Sequence, residues 1–292
     1  YLNMLIWPFT SLGWITMVVQ RAEASMSRIN EFLNFESEIV EGIETKHEIE
    51  GTIEFKNVTF VYENTGIKAL SNVSFKLNKG ETLAILGKTG SGKSTIALLI
   101  ARSLEPTSGE ILIDGKNIHD LSVESIRNEI GYVPQEAFLF SDSLTNNILF
   151  GSDETTELIA EKFAKKAVVH ENIDKFKERY ETVVGERGVT LSGGQKQRVS
   201  IARALVNDPN ILIFDDSLSA VDTETEEQIL NNLSSEIEGK TTIIITHRVS
   251  SAKRADQILI LEDGHIIENG SNSELLNKQG YYYELYNKQL LD

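Results

Sequence analysis

The most apolar stretch of this chain is its N-terminus. Residues 1–20 contain no charged side chain and are mostly apolar. Twenty helical residues with a rise of about 1.5 Å each are long enough to cross the roughly 30 Å hydrocarbon layer of a bilayer. Trp7 and Trp14 suit the lipid interface, and Arg21 follows at once, as expected on a cytoplasmic flank. The pattern predicts a membrane-spanning helix.

Two other interpretations of residues 1–20 are less favoured. A secretory signal would begin with basic residues and end in a small-residue cleavage site, and the sequence has neither. A buried core helix is the second alternative, and Pro8 and Gly13 weaken any helical interpretation. The chain begins with Tyr1 instead of Met, so we expect it to be part of a longer protein.

Beyond Arg21 the helical spacing of apolar residues continues, which predicts that the helix extends into the cytosol. The residues on this face are Val19, Ala22, Met26, Ile29 and Leu33. Residues 1–35 are therefore predicted to be the end of a membrane helix and its cytoplasmic extension. Residues 36–50 carry six Glu against a single Lys and predict a solvated acidic linker.

Residues 51–292 alternate short β-rich runs with helical patterns. The β-rich runs are residues 52–60, 82–86, 111–113, 211–214, 242–245 and 257–261. This alternation is typical of an α/β domain with a largely parallel core sheet.

Composition narrows the possible functions. Lys and Arg number 28 against 44 Asp and Glu, which gives a net charge of −16. A surface this acidic repels phosphate backbones, so we expect no nucleic-acid partner. The chain has no cysteine, which excludes disulfides, zinc–thiolate sites and a cysteine nucleophile.

The first chemical motif is a glycine-rich loop between an apolar strand and a helical run. It matches the pattern G-x-x-x-x-G-K-[ST], in which glycines let backbone N–H groups surround phosphates at a helix N-terminus. The lysine reaches the β- and γ-phosphates, and the hydroxyl that follows it binds Mg²⁺. We therefore predict a nucleotide site formed by Gly87, Lys88, Thr89, Gly90, Ser91, Gly92, Lys93, Ser94 and Thr95.

The second motif is an apolar strand, residues 211–214, that ends in Asp215 and Asp216. A carboxylate in this place holds Mg²⁺ in P-loop NTPases, which assigns that role to Asp215. Alone, such a strand end often only caps the next helix. Residues 87–95 form a phosphate-binding loop (P-loop), and in a chain that also has a P-loop the strand end predicts a metal ligand.

The third motif precedes a helical run and has two glycines at the helix start. It consists of Leu191, Ser192, Gly193, Gly194 and Gln195. Together with the other two motifs it makes the whole chain resemble the ATP-binding cassette (ABC) transporters, where LSGGQ is the signature sequence. The resemblance implies a RecA-like P-loop ATPase cassette with antiparallel β and helical subdomains. It also implies that the signature closes over ATP held by the P-loop of another subunit.

The resemblance assigns further roles residue by residue. Tyr62 stands where the family stacks an aromatic ring on adenine. Gln135 resembles the Q-loop glutamine, which contacts Mg²⁺ and the attacking water and meets the transmembrane part. His247 resembles the switch histidine that contacts the γ-phosphate.

Two loops extend the resemblance to exporters. The D-loop, which crosses to the other subunit, corresponds to Ser219, Ala220, Val221 and Asp222. Residues 182–188 resemble the X-loop of exporters. With a membrane segment fused ahead of the cassette, they imply an exporter half-transporter whose last transmembrane helix ends near residue 35.

One residue departs from the family pattern. The family usually has Glu after the Mg²⁺ aspartate, acting on the hydrolytic water, whereas this chain has Asp216. One methylene less withdraws the carboxylate by about 1 Å, and a misplacement of that size can cost about 10²-fold in rate. We expect a slow site and favour a heterodimer with a second exporter half that has Glu, although adjustment of Asp216 and a homodimer stay open.

The implied function is ATP hydrolysis coupled to export of a small molecule or lipid, with ATP and Mg²⁺ as cofactors. The full-length protein is expected to cross the plasma or inner membrane several times, with a cytoplasmic cassette. One alternative is a soluble ABC ATPase of DNA repair or translation, which residues 1–20 and the charge disfavour. Another is a nucleotide-binding regulatory subunit that does not hydrolyse ATP by itself. Asp216, in the place of the usual Glu, leaves this alternative open.

Overall fold

The chain forms two compact units, residues Tyr1–Val40 and Glu41–Asp292. The computed structural model describes residues 1–34, 39, 42, 48–153, 155–185, 191–218 and 223–291. Of the segment 36–50 predicted as a linker, only residues 39, 42 and 48–50 are therefore described. Ile49 in that segment is buried, with 1% of its surface exposed, and packs in the core of the second unit.

The first unit contains helix α1, Leu2–Leu33, which runs unbroken through Pro8 and Gly13. Its 32 residues give a length of about 48 Å. Among the described residues it is the one helix with the length and apolar composition to cross a membrane, with a mean hydropathy of 1.4 over its most apolar window. The hydroxyls of Thr10 and Thr16 donate to carbonyls of the preceding turn, which shields polar groups along the apolar segment.

The second unit contains one antiparallel sheet of four strands, in the order β2-β1-β4-β5. The strands are β1 (Ile53–Tyr62), β2 (Ile67–Leu77), β4 (Ser108–Ile113) and β5 (Lys116–Asn117). Phe55 pairs with Phe75 across β1 and β2, and their rings stack with centroids 4.6 Å apart. The predicted runs at 52–60 and 111–113 lie in this sheet and not in the parallel one.

The other sheet has six strands in the order β10-β9-β3-β8-β7-β6. They are β3 (Thr82–Gly87), β6 (Ile130–Val133), β7 (Ile211–Asp215), β8 (Thr241–Ile245), β9 (Gln257–Glu262) and β10 (His265–Gly270). All neighbours are parallel except β9 and β10. Every residue of β7 and β8 is buried, as expected for strands covered on both faces.

The second unit also contains helices, several of which pack against the parallel sheet. They are α2 (Lys93–Ile100), α3 (Val123–Asn128), α4 (Leu144–Ile148), α5 (Glu157–Lys166), α6 (His170–Ile173), α7 (Gly193–Leu205), α8 (Thr223–Ile237), α9 (Val249–Ala252), α10 (Asn272–Lys278) and α11 (Tyr281–Leu291). Residues of α4, α5, α6 and α7 share a hydrophobic cluster with β7. The predicted α/β cassette with antiparallel β and helical subdomains is confirmed.

Candidate nucleotide-binding site

The glycine-rich loop lies between β3 and α2, where the carboxyl end of a central strand meets a helix N-terminus. Gly87 and Gly92 have φ of 154° and 100°. A Cβ on Gly87 would lie 2.1 Å from the Leu261 carbonyl oxygen, and one on Gly92 would lie 2.3 Å from that of Ala69. Only glycine allows the loop to approach these neighbouring backbones so closely.

Lys93 begins α2 and is buried, with 7% of its surface exposed. Its Nζ donates to the carbonyl oxygens of Gly87 and Lys88, at 2.9 and 2.8 Å. Burial lowers the pKa of Lys93, while the nearby Asp216 and Asp215 carboxylates act in the opposite direction. The cation is thus held inside the loop, where an anion would be a strong ligand.

Lys88 belongs to the same motif as Lys93, but its side chain binds Glu262 instead of the loop carbonyls. Its Nζ lies 2.6 Å from Glu262 Oε1, and this hydrogen bond raises the pKa of Lys88. The Lys88 side chain does not line the cavity beside the loop. Gly87 and Ser91 do not line it either, and the motif residues that do are Thr89, Gly90, Gly92, Lys93, Ser94 and Thr95.

Asp215 ends β7 and is buried, with 3% of its surface exposed. Its Oδ1 accepts from Ser94 Oγ at 2.9 Å, and its Oδ2 accepts from the Tyr132 hydroxyl at 3.1 Å. Burial and the Asp215 charge raise the pKa of Tyr132, which keeps the phenol a donor. A carboxylate beside a hydroxyl is the oxygen-only donor set that Mg²⁺ prefers, so these residues fit the ion.

Asp216 and His247 lie on the other side of the cavity. Asp216 has a φ of 46°, which Asp tolerates, and its N–H donates to the Ile245 carbonyl at 2.9 Å. Its Oδ2 lies 4.0 Å from His247 Nε2, too far for a hydrogen bond. Burial raises the pKa of Asp216, while His247 and Lys93 act to lower it.

Tyr62 and Gln135 complete the cavity, which has a volume of about 370 Å³. The Tyr62 hydroxyl and Thr95 Oγ1 are 3.2 Å apart, and the Phe60 ring meets the Tyr62 ring edge-on at 4.8 Å. Gln135 is exposed, and its carbonyl accepts from Gln197 Nε2 at 2.8 Å. The structure therefore brings Tyr62, the loop, Asp215, Asp216, Gln135 and His247 to one cavity.

The signature residues lie elsewhere. Ser192 is the N-cap of α7: its Oγ accepts from the Gln195 N–H at 3.3 Å, and its own N–H donates to Gln195 Oε1 at 2.9 Å. This capping box fixes the helix start, with Ser192 and Gly193 exposed and Leu191 buried. Among the described residues that line the cavity, none belongs to the signature.

Parts of two predicted loops lie outside the described residues. These are the D-loop residues Ser219, Ala220, Val221 and Asp222, and residues 186–188 of the X-loop. The described start of the X-loop is bound to the start of α4 and the residues before it: the Thr182 carbonyl accepts from the Leu144 N–H at 3.1 Å, and the Val184 N–H donates to the Asp142 carbonyl at 3.0 Å.

Comparison with known proteins shows which family the chain belongs to. A family model described as ABC transporter matches residues 70–219, just over half of the chain. The chain belongs to the ABC transporter family. Its P-loop, the Asp215 strand and the signature all lie within the matched residues.

Similar proteins include an ABC transporter, a lipid flippase and a solved ABC exporter, by their names. The chain is 43% identical, over 100% of its length, to the probable multidrug resistance ABC transporter ATP-binding/permease protein YheI of Bacillus subtilis. It is 40% identical, over 99%, to ATP-dependent lipid A-core flippase 1 of Colwellia psychrerythraea. A solved bacterial Atm1-family ABC exporter with ATP bound is 37% identical over 99% of the chain, with a TM-score of 0.87. The chain spans 50% of each of these two relatives and 51% of that exporter chain.

Sequence reasoning missed several groups around this ABC transporter site. Tyr132 binds Asp215 from β6, a four-residue strand that the apolar pattern did not reveal. Glu226 on α8 is 2% exposed and pairs with Arg248, the residue after His247. The one available signal for Tyr132 was its position three residues before Gln135, beside the Asp215 strand.

Proposed function

We propose that this chain is the ATP-binding and ATP-hydrolysing part of a membrane exporter. The observation that carries the proposal is the convergence of buried Lys93, the Ser94–Asp215 pair and Tyr62 on one cavity. Such a cavity offers a cation for phosphates, oxygen ligands for a metal and an aromatic ring for a base.

In this proposal the triphosphate lies along the P-loop. Lys93 exchanges its two loop carbonyls for phosphate oxygens, a stronger, charge-assisted interaction. Tyr62 stacks on the adenine, held in place by Thr95 and Phe60. Lys88 supports the loop through its backbone, because its side chain is bound to Glu262.

Ser94, Gln135 and Asp215 are the residues proposed to hold Mg²⁺. When bound, the ion offsets negative charge on the phosphate oxygens. The Tyr132 hydroxyl fixes one oxygen of Asp215, which leaves the other facing Ser94. Among the described residues, no group of three or more His, Cys, Asp or Glu side chains could hold a metal ion. The proposed ion site therefore depends on the nucleotide for the rest of its ligands.

Asp216, His247 and Gln135 are the proposed catalytic residues. Asp216 orients or deprotonates the attacking water, and His247 donates toward the γ-phosphate. Both side chains line the cavity, and Asp216 Oδ2 lies 4.0 Å from His247 Nε2. Gln135 connects this cavity to α7 through Gln197.

The signature is proposed to act on ATP in a second subunit. It lies outside this chain's own cavity, and its capped helix start presents Ser192 and Gly193 to solvent. Residues 219–222 are proposed to cross to that subunit as well. The second subunit is another exporter half, and a heterodimer in which Asp216 forms the slow site is our preferred assembly.

The proposed location is the plasma or inner membrane, with α1 as the end of the last transmembrane helix and residues 51–292 in the cytoplasm. The proposed cargo is a small molecule or lipid, in keeping with the multidrug and lipid A-core names of relatives. Nucleic acid is not a proposed partner, given the charge of −16.

Membrane fractionation combined with ATPase assays tests this proposal. The full-length protein should stay in the membrane fraction after an alkaline wash and, assembled with its second half, should hydrolyse MgATP. Recovery in the cytosolic fraction would favour a soluble ABC ATPase instead. Membrane-bound protein that binds ATP but never turns it over, with any second half, would favour a regulatory subunit.

A further inference from the structure

The loop that carries His247 is bound by a side chain from the C-terminal helix. Gln289 on α11 donates from Nε2 to the His247 carbonyl at 2.7 Å. Its Oε1 accepts from the Val249 N–H, also at 2.7 Å. One planar amide therefore satisfies an acceptor and a donor of the same three-residue segment.

Helix α11 is itself firmly attached to the second unit. Tyr282 is 0% exposed and packs in one hydrophobic cluster with Val249 and Ala252 of α9. Its N–H donates to the Glu268 carboxylate at 3.1 Å, and its hydroxyl donates to Asn272 at 2.7 Å. The Gln289 amide therefore extends from a helix whose position does not depend on that amide.

Further contacts restrain the backbone around His247. The Thr246 N–H donates to Ile85 of β3 at 3.2 Å, and the Arg248 N–H donates to Thr246 Oγ1 at 3.0 Å. Arg248 also pairs with the buried Glu226. The His247 side chain is 43% exposed and lines the cavity.

We propose that Gln289 is a positioning residue for His247, so that the C-terminal helix sets where this histidine stands relative to the bound nucleotide. This inference rests on the proposed ATPase function. Removing the amide frees the His247 carbonyl and the Val249 N–H to rotate, and His247 moves relative to Asp216. Binding of ATP through Lys93 and Tyr62 is unaffected, because those residues lie on other elements.

The test compares Gln289→Ala, Gln289→Met and Gln289→Glu by single-turnover hydrolysis in the assembled full-length transporter, with the second half's catalytic Glu changed to Gln so that only this site reports. Because a misplacement of 1 Å can cost about 10²-fold and other contacts also restrain the loop, Gln289→Ala should lower the single-turnover rate about tenfold. The Kd for MgATP should be unchanged. Gln289→Met has similar length without hydrogen-bonding groups of its own and should match the Ala variant. Gln289→Glu keeps an acceptor for the Val249 N–H but turns a second acceptor toward the His247 carbonyl, so it should not restore the wild-type rate.

The matched control is Lys288→Ala, which removes an exposed side chain from the same helix and should leave the single-turnover rate and the melting temperature unchanged. The decisive comparison is a double-mutant cycle with His247→Ala. If Gln289 acts through His247, adding Gln289→Ala to His247→Ala causes no further loss. An additive loss, or a Gln289→Met variant as active as wild type, would overturn the inference.

Failure of this inference is distinguishable from failure of the proposed function. If the wild type binds and hydrolyses MgATP but the Gln289 variants equal it, only the positioning role is wrong. If the wild type does not bind MgATP at all, the ATPase proposal itself is wrong.

Discussion

In the proposed function, individual side chains of the cavity recognise different parts of the nucleotide. Lys93 is a buried cation whose partners are neutral carbonyls, so it has the most to gain from a phosphate. Tyr62 offers a ring face and anchors its hydroxyl on Thr95. Asp216 is the position where this chain differs from the family pattern. Each of these side chains can therefore be tested by its own substitution.

Tyr62→Ala should weaken ATP binding moderately, because aromatic stacking contributes about 0.5–1.5 kcal/mol beyond buried area. Tyr62→Phe is the matched control: it retains the ring and loses only the contact with Thr95, so affinity should stay close to wild type. Calorimetric titration with MgATP and with inorganic triphosphate measures both effects. Equal affinity of the wild type for triphosphate and ATP would rule out a stacking role for Tyr62.

Asp216→Glu should speed hydrolysis at this P-loop at least tenfold, because the longer side chain restores about 1 Å of reach. Single-turnover hydrolysis should be measured in the assembled transporter with the second half's catalytic Glu changed to Gln. Asp216→Asn, in the otherwise normal complex, should change steady-state turnover little. Loss of turnover as complete as in Lys93→Ala would make Asp216 a working catalytic carboxylate and favour a homodimer.

At the scale of elements, the signature helix α7 and the P-loop helix α2 begin in different ways. The start of α2 is buried around Lys93, whereas the start of α7 is capped by Ser192 and exposed at Gly193. An exposed helix start with orphan N–H groups favours an anion from outside the chain. The element geometry supports a role for α7 across a subunit interface.

Gly194→Asp should leave MgATP binding to the isolated chain near wild type and suppress turnover of the assembled transporter. The reason is that a carboxylate at the start of α7 would repel the γ-phosphate held by the second subunit. Gly194→Ala adds a methyl group without charge and should therefore lower turnover less than Gly194→Asp does. Equal loss of ATP binding in the isolated chain would show that the motif serves this chain's own nucleotide.

The elements that could be predicted from sequence are those whose pattern is local. The apolar runs of β3, β7 and β8 are continuous because both faces are covered, and the P-loop is a contiguous motif. Strand β6 is short and contains Gly131, where a Cβ would lie 2.4 Å from the Ala204 carbonyl. That requirement comes from packing against α7 and leaves no pattern in the neighbouring residues.

Contacts between distant segments were equally invisible to sequence analysis. Tyr132 and Asp215 are 83 positions apart, and Gln289 and His247 are 42 apart. Neither contact can be inferred from the order of residues in the chain. The parallel sheet brings Tyr132 to Asp215, and the packing of the C-terminal helix brings Gln289 to His247. The resemblance to a family supplied roles for motif residues but not for these supporting ones.

At the scale of the whole molecule, the residues that the structure describes form the proposed nucleotide cavity, and none of the signature residues lines it. This separation supports our proposal that the signature meets ATP held by a second exporter half. Helix α1 has the length and composition for the membrane, and the acidic charge of −16 argues against nucleic acid. All of these proposals depend on one claim, which is that the cavity binds MgATP.

The most direct test of that claim is MgATP binding and hydrolysis by Lys93→Ala, with Lys79→Ala as the matched control. Lys79 forms an exposed ion pair with Glu50, and such pairs contribute little. We predict that Lys93→Ala abolishes tight MgATP binding and single-turnover hydrolysis at this chain's own cavity, with binding measured on the chain without its second half, because the phosphates lose their buried cation, while Lys79→Ala retains both. Wild-type MgATP affinity in Lys93→Ala would contradict the assignment of the cavity as the nucleotide site.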